Sequence, residues 1–252
     1  MALLNNGVTG HRGDPQHFPQ NTLAGFESAI NLGCDWVETD IRLTRDGKLV
    51  LIHNPDTCEQ GDVKRVIADT DFDELRKINV ACNFNFRHFD KAPRFDRMPS
   101  LEETLELFRS QDKVRLSLQP KAPGAVEAAA KIIRDMKFPV ELLGFNDGTL
   151  DYMAKARELF PESYIFFDIA PRDLEAELDA ADRYHFNALV VWEGLLDQKI
   201  AERILERGYP VGVWNIQNPG EMRRYLDMKV SRFYTDYPAE LMKIMGITPG
   251  KV

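Results

Sequence analysis

At 252 residues the chain has room for one large α/β domain or two small ones, and 44% hydrophobic against 29% charged residues excludes a disordered chain and leaves ample apolar material for a core. A formal charge of −8 excludes a partner bound mainly through a nucleic-acid backbone, which needs a basic face, but leaves room for a small anionic substrate beside local cations. Three cysteines, Cys34, Cys58 and Cys82, without CxxC spacing argue against a disulfide framework or a thiolate zinc site and read as reduced thiols.

No apolar run approaches the length of a transmembrane segment. The stretch Met1 to Gly7 has neither the basic nor the apolar part of a signal peptide, so a cytoplasmic location is expected, or a secreted or periplasmic one if such a peptide has been removed.

In chain order, the first expected strand is Gly7–Gly10, ending at His11-Arg12-Gly13. Next come Trp36–Leu43 and Lys48–His53, and Thr44-Arg-Asp-Gly47 between them is a turn signature, so these two are expected to form a hairpin. From Pro55 to Met98 the periodicity fails, with scattered charge and the Asn83-Phe-Asn-Phe-Arg-His88 stretch, which reads as an insertion of about 55–98 on one face. Leu101–Phe108 is the clearest helix: Leu101, Leu105 and Phe108 share a face, and Ser100 with Glu103 forms a capping box. Strands are then expected at Val114–Leu118, Val140–Phe145, Ser163–Phe167, Ala188–Val191, Val211–Asn215 and Arg232–Thr235, most separated by helices. Such βα alternation marks a parallel sheet, and its repetition along the chain implies a closed (β/α)₈ TIM barrel as a single domain over 1–252. Nine strands are one too many, and the hairpin accounts for the ninth.

Chemistry concentrates near the first strand ends. Side chains alternate faces on a strand, so in Trp36-Val-Glu-Thr-Asp-Ile41 the carboxylates of Glu38 and Asp40 point the same way, with Cα atoms about 6.6 Å apart. Two like charges on one face are costly to desolvate unless a cation or shared proton relieves them, and hard cations such as Mg²⁺ or Ca²⁺ take such oxygen ligands. The plain alternative is a solvated strand face, against which Val37 and Ile41 argue by suggesting that both faces are covered. Taken alone, His11-Arg12 reads as a pair meeting surface carboxylates, and His53, closing an apolar strand, as either packed or facing a site. Together, His11 and His53 are two groups able to change charge near neutral pH, one to activate a nucleophile and one to protonate a leaving alkoxide. His17, His88 and His185 lack carboxylates at ligand spacing.

The ordered series His11-Arg-Gly, Pro19-Gln-Asn-Thr22, Gly33-Cys-Asp-Trp-Val-Glu-Thr-Asp40, Thr44-Arg-Asp-Gly47, His53, Pro99-Ser-Leu-Glu-Glu103, Val213-Trp-Asn215 and Thr235-Asp-Tyr-Pro238 resembles the glycerophosphodiester phosphodiesterase family over nearly the whole chain. The resemblance implies a TIM barrel of the PLC-like phosphodiesterase type, a divalent metal (Mg²⁺ or Ca²⁺), and hydrolysis of a small-molecule glycerophosphodiester to glycerol phosphate and an alcohol. By position it implies His11 and His53 as the catalytic histidines, Glu38 and Asp40 as metal ligands, and Arg12 and Lys121 as contacts to the substrate phosphate. Lys121 read alone is a surface-loop lysine. Trp214 is a substrate-binding candidate that would either line the pocket against the glycerol or fill the barrel, packing being the commoner outcome.

Two positions depart from the family pattern. Gln119 stands where a third acidic ligand is usual; its carbonyl can coordinate a hard cation, but one negative charge is gone. Asn54 follows the second histidine where an aspartate is common, with Asp56 two positions on, and Glu193, after Val190-Val-Trp192, is a candidate replacement ligand. These departures leave two rivals open: a phospholipase-type or other phosphodiesterase with a different head group, which an apolar patch on the insertion would favour, and a phosphate-binding barrel with weakened turnover.

Overall fold

A computed structural model describes residues 3–170 and 172–251. Eight parallel strands close a barrel: β1 (Val8–His11), β2 (Trp36–Leu43), β4 (Arg115–Pro120), β5 (Leu143–Asp147), β6 (Tyr164–Ile169), β7 (Ala188–Trp192), β8 (Val211–Ile216) and β9 (Arg232–Thr235), with β1 pairing both β2 and β9. The ninth strand, β3 (Leu49–Leu51), lies antiparallel on the end of β2, as the Thr44–Gly47 turn implied. Helices α1 (Leu23–Leu32), α4 (Leu101–Arg109), α5 (Ala125–Asp135), α6 (Leu150–Leu159), α7 (Leu174–Tyr184), α8 (Gln198–Glu206), α9 (Pro219–Asp227) and α10 (Pro238–Ile244) alternate with the barrel strands; the short α2 (Phe72–Leu75) and α3 (Cys82–Arg87) fall between β3 and α4.

Local chemistry sets the helix starts. Thr22 caps α1 by accepting the Gly25 N–H at 3.2 Å, and at α4 the Ser100 and Glu103 side chains satisfy each other's backbone N–H groups in the expected capping box. One expected strand is corrected. Val140–Leu142 forms a 3₁₀ turn after Pro139, and β5 runs only from Leu143; the apolar run was long enough for a strand, but its first residues pack beneath the sheet as a turn.

Two apolar layers hold the barrel. Outside, Val37, Ile41, Leu116 and Leu118 meet the helices, including Phe26 and Leu105. Inside, Trp36, Phe166, Val190 and Tyr234 fill the lumen, with Trp36 edge-on to Phe166 at 5.0 Å. Gly144 makes room for this plug, because a Cβ there would come within 2.6 Å of the Trp36 ring. Truncating a large aromatic side chain so buried costs roughly 3–5 kcal/mol. At the N-terminal end of the barrel strands, fully buried Asp35 receives the guanidinium groups of Arg115 and Arg232 and the Gly7 N–H, tying β1, β4 and β9 together.

Between β3 and α4 the chain joins α2 and α3 by irregular turns around a small core, Ile52, Ile67, Leu75, Ile78, Val80 and Met98, which packs with Val50 of β3. Arg76 joins this segment to the barrel through a two-pronged bond to Glu103 on α4, both contacts 2.9 Å. It flanks the β1–α1 loop, where the Gln60 amide donates to the Gln20 carbonyl at 3.0 Å and the Arg94 guanidinium lies 4.9 Å from the Phe18 ring.

Candidate functional site

The C-terminal ends of parallel strands carry outward-splayed loops and backbone groups free of the ladder, which is why barrels build sites there. A cavity at this end is lined by His11, Arg12, Glu38, His53, Gln119, Lys121, Asn146, Asp168, Trp214 and Tyr234. Asp40 lies at its edge, bonded to two of these residues.

Glu38 and Asp40 occupy one side of β2, while Val37 and Ile41 belong to the outer core. Arg12 reads both carboxylates. Its backbone N–H donates to Glu38 Oε2 at 3.1 Å, and its Nε lies 3.1 Å from Asp40 Oδ2. Arg12 adopts φ +60°, an uncommon conformation for a residue with a Cβ, and this turn aims its N–H back at Glu38. Lys121, just past β4, places Nζ 3.5 Å from Asp40 Oδ1.

Burial sets the charges apart. Desolvation, reinforced by Asp40, pushes the Glu38 carboxyl well above its ordinary range. Burial alone would raise Asp40 too, but Arg12, Lys121 and a bond from Asn21 outweigh it and hold Asp40 below its usual value. Glu38 Oε1 and Asp40 Oδ1 are buried without hydrogen-bond partners among the described residues. Glu38 Oε1, with no partner among the described residues, and Asp40 Oδ1, with only the Lys121 ammonium at 3.5 Å, lie on one strand face and are oxygens that a hard cation would satisfy. Among the described residues no group of three or more His, Cys, Asp or Glu side chains has metal-holding geometry, and a third protein oxygen beside Glu38 and Asp40 would come from a neutral side chain. Gln119 fits that part: its Nε2 donates to Asp168 Oδ2 at 3.1 Å, which leaves the amide oxygen to coordinate.

The histidines are held differently. His11 Nδ1 lies 2.7 Å from Asp236 Oδ1, and Asp236 is also bonded by Asn215 and Gln217, both at 3.1 Å. His53 Nδ1 meets the amide oxygen of Asn54 at 2.7 Å. Since that amide oxygen can only accept, Nδ1 carries the proton and Nε2 a lone pair. Desolvation lowers the His53 pKa below its ordinary value; Asp40 opposes this, and Arg12 and Lys121 reinforce it.

Several members of the site had no role assigned from sequence. Asn21, in the Pro19–Thr22 motif, donates to Asp40 Oδ2 at 2.9 Å and accepts from Thr39 at 2.7 Å, fixing the Asp40 carboxylate. Arg42 donates to the carbonyls of His53 (2.8 Å) and Lys121 (3.0 Å), so one guanidinium positions the backbone of both. Asp168 on β6 has its pKa raised to about 7 by burial and then by Asp147, and its Oδ1 is orphaned. Tyr234, on the barrel plug, reaches the cavity floor with its hydroxyl unpartnered among the described residues.

Other expectations need correction. Trp214 does not fill the barrel: it is 39% exposed and lines the cavity, because it stands at the rim where the lumen opens. Glu193 is no substitute ligand, since its backbone bonds to Trp214 and Tyr225 and its carboxyl feels Glu221 on α9 rather than the cavity. His17 does have a carboxylate, Asp14 at 2.9 Å, because the tight β1–α1 loop folds residue i+3 back onto it. His88 stacks on Phe84 at 4.0 Å and His185 ends α7, neither near the cavity.

Known proteins share the sequence and fold of this chain. The chain is 24% identical over 247 residues to a glycerophosphodiester phosphodiesterase from Caldanaerobacter subterraneus subsp. tengcongensis, covering 94% of this chain and 97% of that one. Over 130 residues it is 32% identical to human glycerophosphodiester phosphodiesterase 1, covering 51% of this chain and 38% of the human protein. A putative glycerophosphoryl diester phosphodiesterase from Silicibacter pomeroyi shares the fold with a TM-score of 0.83 at 21% identity, covering 96% of this chain and 94% of that one. An Oleispira antarctica phosphodiesterase solved with the product sn-glycerol-3-phosphate gives 0.82 at 21% identity, covering 95% and 96%. Residues 11–240 match the glycerophosphoryl diester phosphodiesterase family, and the chain, with its barrel and its polar mouth, belongs to that family of phosphoric diester hydrolases.

Proposed function

We propose that this protein hydrolyses glycerophosphodiesters to glycerol phosphate and an alcohol, with a divalent cation at Glu38, Asp40 and Gln119 and with His11 and His53 exchanging protons. The observation that carries the reading is the pair of buried, partly orphaned carboxylates on β2, set beside two cationic side chains and two histidines at one cavity. The Oleispira relative's complex with sn-glycerol-3-phosphate supports a small glycerol phosphate ester as the ligand class.

Arg12 and Lys121 offset the phosphate charge within an acidic protein and orient its oxygens. A Mg²⁺ or Ca²⁺ ion bound there would add Lewis-acid polarisation of the phosphoryl group. His53, neutral with its Nε2 lone pair available, is suited to take a proton from the attacking oxygen, either of water directly or of a substrate hydroxyl whose cyclic ester water then opens. His11, backed by the Asp236 carboxylate that offsets an imidazolium charge, is suited to give a proton to the departing alkoxide. The test is hydrolysis of glycerophosphodiesters by chelator-treated protein with and without added Mg²⁺ or Ca²⁺. Turnover restored by either ion supports the reading. Phosphate binding without turnover at any ion concentration would instead identify a binding barrel.

A further inference from the structure

Large apolar side chains left exposed are unevenly placed on this protein. Among the described residues there are eight: Val63, Val66, Phe86, Phe89 and Phe95 on the segment between β3 and α4, and Trp192, Leu195 and Trp214 at the barrel mouth. The second group is not scattered. A groove continues from the site past Lys121 and Asp168, and its walls are Ile169, Ala170, Trp192, Leu195 and Trp214.

This groove is built. Trp192 and Trp214 are register partners on adjacent parallel strands, so their side chains leave the sheet on the same face about 4.8 Å apart at the backbone. Gly194 lets the Trp192 ring fold down beside the following turn, since a Cβ there would meet the indole at 2.6 Å. Keeping two indoles and a leucine 39–46% exposed beside a charged catalytic pocket costs hydration free energy that an apolar ligand would recover. The walls are mainly apolar: three of the five are aliphatic, and the charged groups, Lys121 with Asp147 and Asp168, are confined to the inner end next to the site.

We propose that this groove holds an aliphatic chain of the diester, so that the preferred substrate is an amphiphilic glycerophosphodiester with its phosphate between the histidines and Lys121 and its chain along Trp214 and Trp192. The inference rests on the hydrolytic reading above for the position of the phosphate. The exposed Phe86, Phe89 and Phe95 lie on the segment that flanks the β1–α1 loop, where a substrate arriving from a lipid aggregate would also meet apolar surface.

The experiment is a series of glycerol phosphate n-alkyl esters, ethyl to hexyl, measured beside glycerophosphocholine. A methylene fully removed from water is worth about fourfold in affinity, and against half-exposed walls about twofold, so KM should fall by roughly 16-fold from ethyl to hexyl at nearly constant kcat. Trp192→Ser and Leu195→Ser, both at exposed positions, should flatten that trend, with the hexyl ester losing most and the ethyl ester least. Binding of n-alkyl phosphates is read separately by tryptophan fluorescence, because Trp36 is sealed in the barrel and only Trp192 and Trp214 can respond. A flat KM series, or glycerophosphocholine preferred over the butyl ester by tenfold or more, overturns the proposal while leaving the hydrolytic reading intact. Chain-length-dependent fluorescence with no turnover of any ester does the reverse. Comparing the monomeric hexyl ester with a lysophospholipid in mixed micelles separates the sources of the chain: preference for either over the ethyl ester supports the groove, and the larger rate tells whether the chain comes from solution or from a lipid aggregate.

Discussion

Asp236→Asn is the substitution that best isolates what the histidine pair does. It keeps the shape of the side chain and removes the charge facing His11 Nδ1 at 2.7 Å. With charge centres about 4 Å apart, an effective dielectric near 20 gives about 4 kcal/mol of attraction for an imidazolium. The carboxylate side chain is 26% exposed, and solvent screening reduces that to about 2 kcal/mol. If His11 is charged when it donates its proton, kcat should fall by roughly 30-fold, while KM moves little because Asp236 does not line the cavity. Asp236→Ala should cost more, roughly 10²–10³-fold, since orientation of the ring is lost as well. Stopped-assay kinetics on a glycerophosphodiester, with circular dichroism to verify the fold, measure both. A wild-type kcat in a folded Asp236→Asn protein would refute the role given to the pair, and a change confined to KM would mean that His11 binds the phosphate rather than protonating the leaving group.

Replacing His11 or His53 by Ala should lower turnover by roughly 10²–10⁴-fold with urea midpoints close to wild type; unchanged rates in both would show the proton transfers to be wrongly assigned. Gln119→Glu should tighten Mg²⁺ or Ca²⁺ binding in calorimetric titrations without substrate, because a carboxylate gains more beside a divalent cation than a neutral amide does, and equal affinities would remove Gln119 from the coordination sphere. Asp168 supplies a pH test in the metal-free protein. Its folded pKa of about 7 lies above the unfolded value of about 3.9, so the folded state keeps a proton that the unfolded state loses, and its contribution to stability declines as pH rises between those values. Asp168→Asn should therefore match wild type near pH 4 and exceed it by about 2 kcal/mol above pH 7, half of what the full shift would carry; parallel stability curves would show that the Asp168 carboxyl is not held protonated.

What the sequence determined by itself is what local periodicity can encode. Alternation on a strand put Glu38 and Asp40 on one face and Val37 and Ile41 on the other, and both faces are covered. The Thr44–Gly47 turn made β3 a hairpin strand outside the barrel, and the Ser100–Glu103 box started α4 at the expected residue. These depend on neighbours within a few positions, so their physics is complete in a short stretch of chain. Even there, apolar runs misled where a Pro-initiated turn could bury the same residues, as at Val140–Leu142.

Tertiary structure decided the partners. His11 meets Asp236 across 225 positions, Gln119 meets Asp168 across 49, and Arg42 joins the backbones of His53 and Lys121. None of these spacings has a period, because strand order and barrel closure bring β1 beside β9 and carry β6 toward β4 across the mouth. Whether Trp214 packs or lines the site was settled in the same way. A tryptophan at the end of an inward-facing strand has the same sequence signature in both cases, and only the height at which the lumen opens leaves this one 39% exposed.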